Sequence, residues 1–175
     1  IHEKTGGLSE RASGHAASNL DVYQVNSTYY DALGGDDVEY LIARAIQFFA
    51  PGSPQVYYVG LLAGRNDIDL VEKTGVGRDI NRHYYSREEI REQLRRPVVA
   101  RLMELIRLRN EVPCFGGEFL IGECARNEII LRWENGRSTA QLNVNLADRR
   151  AVIGYSGPAG SGSLQIDDEA LASMR

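Results

Sequence analysis

Cysteine and histidine are scarce in this chain, and each scarcity excludes chemistry. Cys114 and Cys124 are its only cysteines. Two thiols at that spacing make no disulfide framework and match no zinc pattern. They read as reduced thiols, as in a cytosolic protein. The three histidines, His2, His15 and His83, include no pair four residues apart, so no metal site is expected. No apolar run reaches the ~18 residues that span a bilayer. No G-x-x-x-x-G-K-[ST] loop occurs, and Ile80 stands where the glycines at Gly75 and Gly77 would need a third to bind a dinucleotide. Basic excess is also lacking. With 20 Lys and Arg against 24 Asp and Glu, the net charge of −4 gives no general pull toward nucleic acid or an anionic membrane. No signal peptide is visible. The chain starts at Ile1 without an initiator Met and reads as part of something longer.

Polar side chains crowded between aromatics are what the chain has in plenty. Residues 16–33, AASNLDVYQVNSTYYDAL, hold Asn19, Asp21, Tyr23, Gln24, Asn26, Tyr29, Tyr30 and Asp31. Neither a strand's alternation nor a helix's period organises them. A row of hydrogen-bonding groups with aromatic flanks reads as a loop lining a polar binding site. A second such run is Arg78-Asp79-Ile80-Asn81-Arg82-His83-Tyr84-Tyr85. Both have the chemistry of a sugar-binding wall, polar fans on aromatic platforms.

Around these runs the patterning is simpler. Residues 1–18, rich in Gly, Ser and Ala without period, read as loop. Residues 36–50 read as a helix, with Val38, Leu41, Ile42, Ala45, Ile46 and Phe49 on one face and Pro51-Gly52 as its stop. Residues 54–59, β-branched and aromatic between Pro and Gly, read as a strand buried on both faces. The excursion over 60–86 holds at most one short helix, 67–74, and a loop of that length is usually functional. Ser86 and Glu89 make a capping box. The helix it opens breaks or kinks at Pro97 and continues with Val98, Leu102, Leu105, Ile106 and Arg109 on a core face. Beyond Pro113, residues 118–122, 127–133 and 138–146 read as strands, with 150–155 and 163–166 as shorter ones. Asn135-Gly136 signals a type I′ hairpin turn. Nine arginines fall within 78–109, and their interleaving with Glu88, Glu89, Glu92 and Glu104 marks a solvated helix face more than a nucleic-acid surface, Arg78 and Arg82 excepted because they lie in the loop. Asn26-Ser27-Thr28 is a glycosylation sequon, a weak signal by itself. No nucleophile and base can be paired, and Asp21, Asp31 and Asp79 are candidates only by type.

Three segments together, AASNLDVYQVNSTYYDAL, PGSPQVYYVGLLAG and GRDINRHYYS, resemble the sucrose phosphorylase family of the α-amylase superfamily of glycoside hydrolases. The likeness is nearly continuous over 15–112 and looser elsewhere, and it points to the C-terminal third of such an enzyme. It implies α/β plus all-β architecture: the last part of a (β/α)8 TIM barrel followed by a C-terminal antiparallel β domain. Residues 1–35 would be an inserted substrate and acceptor loop region. Residues 36–112 would be barrel helix 7, strand 8, the active-face loop and closing helices. Residues 113–175 would be the β domain. The family converts sucrose and phosphate reversibly to α-glucose 1-phosphate and fructose through a β-glucosyl-enzyme. It uses an Asp nucleophile, a Glu acid/base and a stabilising Asp, all expected upstream of Ile1. The chain alone is therefore expected to be poorly soluble and inactive.

The resemblance places Asn19, Leu20, Asp21, Val22, Tyr23 and Gln24 on the acceptor-site loop, and Arg78 as the arginine that helps hold the glucosyl unit. Val22 stands where the family often has Leu or Ile. Asp21 would accept from fructose hydroxyls but repel phosphate, by about 4 kcal/mol for two unit charges at 4 Å and an effective dielectric near 20. It is expected to turn away when phosphate binds, with Tyr23 turning in as donor and a hinge at Gly14 and residues 16–18. No cofactor or metal is implied, with inorganic phosphate as co-substrate. The implied partners are sucrose, fructose, phosphate and glucose 1-phosphate, with no nucleic acid and no membrane. A cytoplasmic location follows, and a homodimer is one assembly the resemblance allows. Sister phosphorylases of sucrose 6-phosphate, glucosylglycerol or glucosylglycerate, a hydrolase, and a catalytically silent sugar-binding or interaction fragment stay open as alternatives.

Overall fold

The structure, a computed structural model, describes residues 1–16 and 25–174. Eight α-helices are present among them: α1 (Leu8–Ala16), α2 (Tyr29–Ala32), α3 (Asp37–Phe49), α4 (Tyr58–Leu61), α5 (Ile68–Thr74), α6 (Arg87–Gln93), α7 (Pro97–Glu111) and α8 (Asp168–Ala172). Five strands follow α7: β1 (Glu118–Ile121), β2 (Glu128–Asn135), β3 (Ser138–Asn145), β4 (Arg150–Gly157) and β5 (Gly160–Ile166). The chain divides into two compact units, 1–40 with 56–99 and 41–55 with 100–175. Their borders fall inside α3 and α7. No helix among the described residues is long and apolar enough to cross a membrane.

The second unit holds an antiparallel sheet whose strands pair in sequence order, β1-β2-β3-β4-β5. Alternation builds it. Along β3, Ser138, Ala140, Leu142 and Val144 are buried, while Thr139, Gln141, Asn143 and Asn145 face outward. Ala151 and Ile153 continue the buried face on β4, and Leu164 and Ile166 on β5. The hairpin turn differs from expectation. Asn135 pairs with Ser138 in the ladder, so Gly136 and Arg137 form the turn. Only Gly136 has a positive φ, of 58°. A type I′ turn needs two such residues, and one at the first central position is the type II′ pattern. Asn135 stays in the strand, and its Nδ2 donates to the Pro113 carbonyl at 3.1 Å.

Helix signals in the first unit were local and formed where expected. Asp67 caps α5 by accepting the Leu70 N–H, and Gly75 ends it at φ 68°. Ser86 and Glu89 complete both bonds of the capping box that starts α6. The helix breaks ahead of Pro97, which opens α7. Two expectations fail. Residues 54–59 form no strand: Tyr57 is extended but caps α4, and the sheet strands pair only among themselves. A ladder needs a partner backbone, and no described strand offers one there. Residues 8–16, read as loop, are helix α1, which therefore contains Gly14 and Ala16 of the expected hinge. Its buried face is small, with Ser9, Ala12 and Ser13 exposed by 4% or less. Ala12 sits in a cluster with Val71 and Ile80.

Candidate functional site

A cavity of about 700 Å³ opens in the first unit where the 60–86 excursion folds back on itself. One wall is the run Gly64 to Asp69; the other is His83, Tyr85, Gln93 and Arg96. The turn leading into the first wall is tight. Ala63 takes a left-handed φ of 46°, costly for a residue with a Cβ. Arg96 holds it there, its Nη1 donating to the Leu62 and Ala63 carbonyls at 3.3 and 3.1 Å and to Gln93 Oε1 at 2.7 Å. At the next residue, a Cβ on Gly64 would lie 2.2 Å from the Tyr85 hydroxyl. The cavity wall therefore admits only glycine there without displacement.

Behind the first wall stands Asp31. Its Oδ2 accepts the Asn66 N–H at 2.7 Å, and its Oδ1 pairs with Arg65 at 3.3 Å. Asn66 Oδ1 in turn accepts the Thr28 N–H at 2.7 Å. Tyr30 donates to Asp37 at 2.6 Å, and burial, then the bond to Asp37, push its pKa up to about 12. Arg65 and Arg96 both lie over the Tyr30 ring, 5.4 Å from its centre. His83 on the opposite wall is flanked by Asp67 of the first wall at 2.6 Å and by Glu89 at 3.3 Å. The ring's burial opposes its charge, yet bonds to Asp67 and Glu89 outweigh that and raise its pKa from 6.5.

Donors and acceptors thus alternate around a space large enough for a sugar ring. Arg65 and Arg96 each face a carboxylate, at 3.3 and 3.7 Å, so the walls suit hydroxyl groups better than a naked anion. No Ser, Thr or Cys among the described residues lines the cavity. Among the described residues, no group of three or more His, Cys, Asp or Glu is placed to hold a metal ion.

Asn19, Leu20, Asp21, Tyr23 and Gln24 lie outside the described residues. Arg78 is exposed, on the 3₁₀ turn Gly77–Asn81, and is not part of the cavity lining. Asp31 is placed, as a structural acceptor behind Asn66. Asp79 bridges to Arg82 at 3.3 Å. Of the second polar run, only His83 and Tyr85 reach the cavity. Sequence reasoning missed Arg65, Asn66 and Arg96. Arg96 was grouped with the solvated arginines; the kink at Pro97 was the available sign that it leaves the helix face. Arg91 and Arg101 do pair with Glu88 and Glu104 at three-residue spacing. The sequon asparagine, Asn26, is 1% exposed and bonded to Ser13 and Ala12, which leaves no room for a glycan.

No family model matches the chain. A sucrose phosphorylase from Agrobacterium vitis is 56% identical over 157 residues, covering 90% of this chain and 32% of that protein. A sucrose phosphorylase from Bifidobacterium adolescentis is 56% identical over 142 residues, covering 81% and 28%. Over most of its length the chain is similar to the C-terminal part of sucrose phosphorylases. It spans about a third of the length of the curated relatives it matches and corresponds to their C-terminal part. Among solved structures, that of sucrose 6F-phosphate phosphorylase from Thermoanaerobacter thermosaccharolyticum matches with a TM-score of 0.77 at 44% identity, over 89% of this chain and 34% of that one. The five-stranded antiparallel sheet and the helices match the C-terminal part of that structure, and an antiparallel β unit following α/β elements is what the sequence led one to expect.

Proposed function

We propose that this chain is the C-terminal part of a retaining glucosyl transferase that converts sucrose and phosphate to α-glucose 1-phosphate and fructose. The observation that carries the reading is 56% identity to a sucrose phosphorylase across 90% of the chain. The cavity supports it independently, since its paired charges and flanking Tyr85 suit a neutral polyol. In this reading the nucleophilic Asp, the acid/base Glu and the stabilising Asp lie in the part of the protein that precedes Ile1. Nucleophilic attack at the anomeric carbon releases fructose, which takes the acid's proton. Phosphate then displaces the carboxylate from the glucosyl-enzyme, and two inversions give net retention.

In the same reading, Asn19, Leu20, Asp21, Tyr23 and Gln24 form the acceptor wall, and Arg78 helps hold the glucosyl unit. The partners are sucrose, fructose, phosphate and glucose 1-phosphate. Phosphate is a co-substrate and no other cofactor is needed; the protein works in the cytoplasm. The deciding experiment follows phosphate-dependent release of glucose 1-phosphate from sucrose by the full-length protein. Hydrolysis without phosphate dependence would instead assign a hydrolase. A second reading, with sucrose 6-phosphate as substrate, is favoured by the solved structure of a sucrose 6F-phosphate phosphorylase. Comparing kcat/KM for the two sugars separates them.

A further inference from the structure

Two helix caps meet at His83. Its Nδ1 lies 2.6 Å from Asp67 Oδ2, and its Nε2 lies 3.3 Å from Glu89 Oε1. Each carboxylate is already committed through its other oxygen. Asp67 Oδ1 accepts the Leu70 N–H at 2.8 Å and starts α5. Glu89 Oε2 accepts the Ser86 N–H at 2.6 Å and starts α6. With a carboxylate at both ring nitrogens, only the imidazolium offers an N–H to each. A neutral ring serves one and turns a lone pair toward the other.

Between Asp67 and His83 run α5 and the 3₁₀ turn that carries Arg78. Three contacts close the base of this loop. The Asp67 N–H donates to the Ile80 carbonyl at 2.8 Å. The Tyr58 hydroxyl donates to the His83 carbonyl at 3.0 Å. His83 to Asp67 is the third, and the one that carries charge. We propose that His83 is a positioning residue: it clips the cap of α5 to the cap of α6 and so holds the 67–83 loop in the shape that presents Arg78 to the sugar. The proposal rests on reading Arg78 as the arginine that holds the transferred glucosyl unit.

The ring is surrounded by groups that bear on its charge. Asp67 at the cap of α5 and Glu89 of α6 bond the ring, and Tyr85 stands edge-on to it with ring centres 4.6 Å apart; Tyr58 of α4 bonds the His83 carbonyl, and Asp69 lines the cavity beside it. Arg65 and Arg96 line the same cavity. Because both carboxylates favour the protonated ring, the clip is complete at low pH. It loosens as pH rises through the raised pKa of His83.

Two variants of the full-length protein test this. His83→Gln leaves at most one amide donor. Asp67→Asn keeps an oxygen to cap Leu70 but removes the charge facing His83. Hydrogen–deuterium exchange of the 67–83 amides is compared with wild type at pH 6 and pH 9, which cancels the intrinsic pH dependence of exchange. Losing one charge-assisted bond should speed exchange in that segment about tenfold at pH 6. The difference should shrink at pH 9 as the wild-type ring gives up its proton. KM for sucrose should rise at pH 6 while kcat changes less. Wild-type protection of 67–83 in both variants overturns the proposal, and so does loosening spread evenly over the whole chain. If the wild-type protein makes no glucose 1-phosphate from sucrose, the transferase reading falls, and the exchange comparison still decides whether the clip exists.

Discussion

The indole Nε1 of Trp133, on β2, donates to the carbonyl of Phe49, the last residue of α3, at 2.8 Å. Helix ends leave carbonyls without intrahelical partners, and here a strand side chain supplies one. Phe115 stands edge-on to Phe49 and tilted against Trp133, with the Arg109 guanidinium 4.3 Å from the Phe115 ring centre. Trp133→Phe keeps the apolar contact but orphans a buried carbonyl. It should cost about 1–3 kcal/mol in guanidinium unfolding followed by circular dichroism. A midpoint unchanged from wild type would show that the bond contributes nothing net.

Gly64 is the position where the cavity wall has no space to give. An added Cβ would meet the Tyr85 hydroxyl at 2.2 Å, Val59 Cγ1 at 2.7 Å and the Val59 carbonyl at 3.0 Å. Gly64→Ala should therefore destabilise by about 1–3 kcal/mol. Adding Tyr85→Phe should recover only part of this, because the Val59 contacts remain. Full recovery in the double variant would locate all the strain at the hydroxyl.

Tyr30 sets an alkaline limit. Its pKa is pushed up to about 12 in the folded chain, against 10.0 for a free tyrosine. A raised folded-state pKa contributes stability that is whole below pH 10 and is lost as pH climbs through 12. Tyr30→Phe should flatten the fall in melting temperature between those values. An equally steep fall would assign it to another group, such as Tyr58, also pushed up to about 12 by burial and by Tyr57.

In the full-length protein, Tyr23→Phe removes the donor proposed to replace Asp21 when phosphate binds. KM for phosphate should rise more than KM for sucrose. Equal changes in both constants would end the idea of alternating partners.

Arg78→Lys exchanges a planar, bidentate donor for a point charge. Since both half-reactions hold the same glucosyl unit, kcat/KM should fall for phosphorolysis and for synthesis alike. Impairment confined to the fructose-dependent direction would contradict the role given to Arg78.

How legible each element was depended on the range of the interaction that makes it. The Ser86–Glu89 capping box, the Asp67 cap and the alternation of β3 depend on neighbours within a few residues, and the structure contains each of them. Helix α1 escaped notice because its buried face is Ser9, Ala12 and Ser13, small residues with no hydrophobic period. The side chains that cover it, Val71 and Ile80, are some sixty residues away. The strand expected at 54–59 failed for the opposite reason: its residues suit a sheet, but propensity without a partner backbone makes no ladder.

The site divides along the same line. Its residue types were legible in the chain, since the polar run that holds His83 and Tyr85 was read as a binding wall and both side chains line the cavity. Which side chains face the cavity was settled by tertiary structure alone. Arg96 lies between α6 and α7, where its guanidinium bonds the Leu62 and Ala63 carbonyls of the left-handed turn. Asp67 and Glu89 came to share one imidazole because two helix caps, distant in sequence, converge on it. Local bonding rules act within a few residues and can be read along the chain. Convergence of this kind is enforced by burial and by satisfying polar groups across the fold, and a linear sequence does not display it.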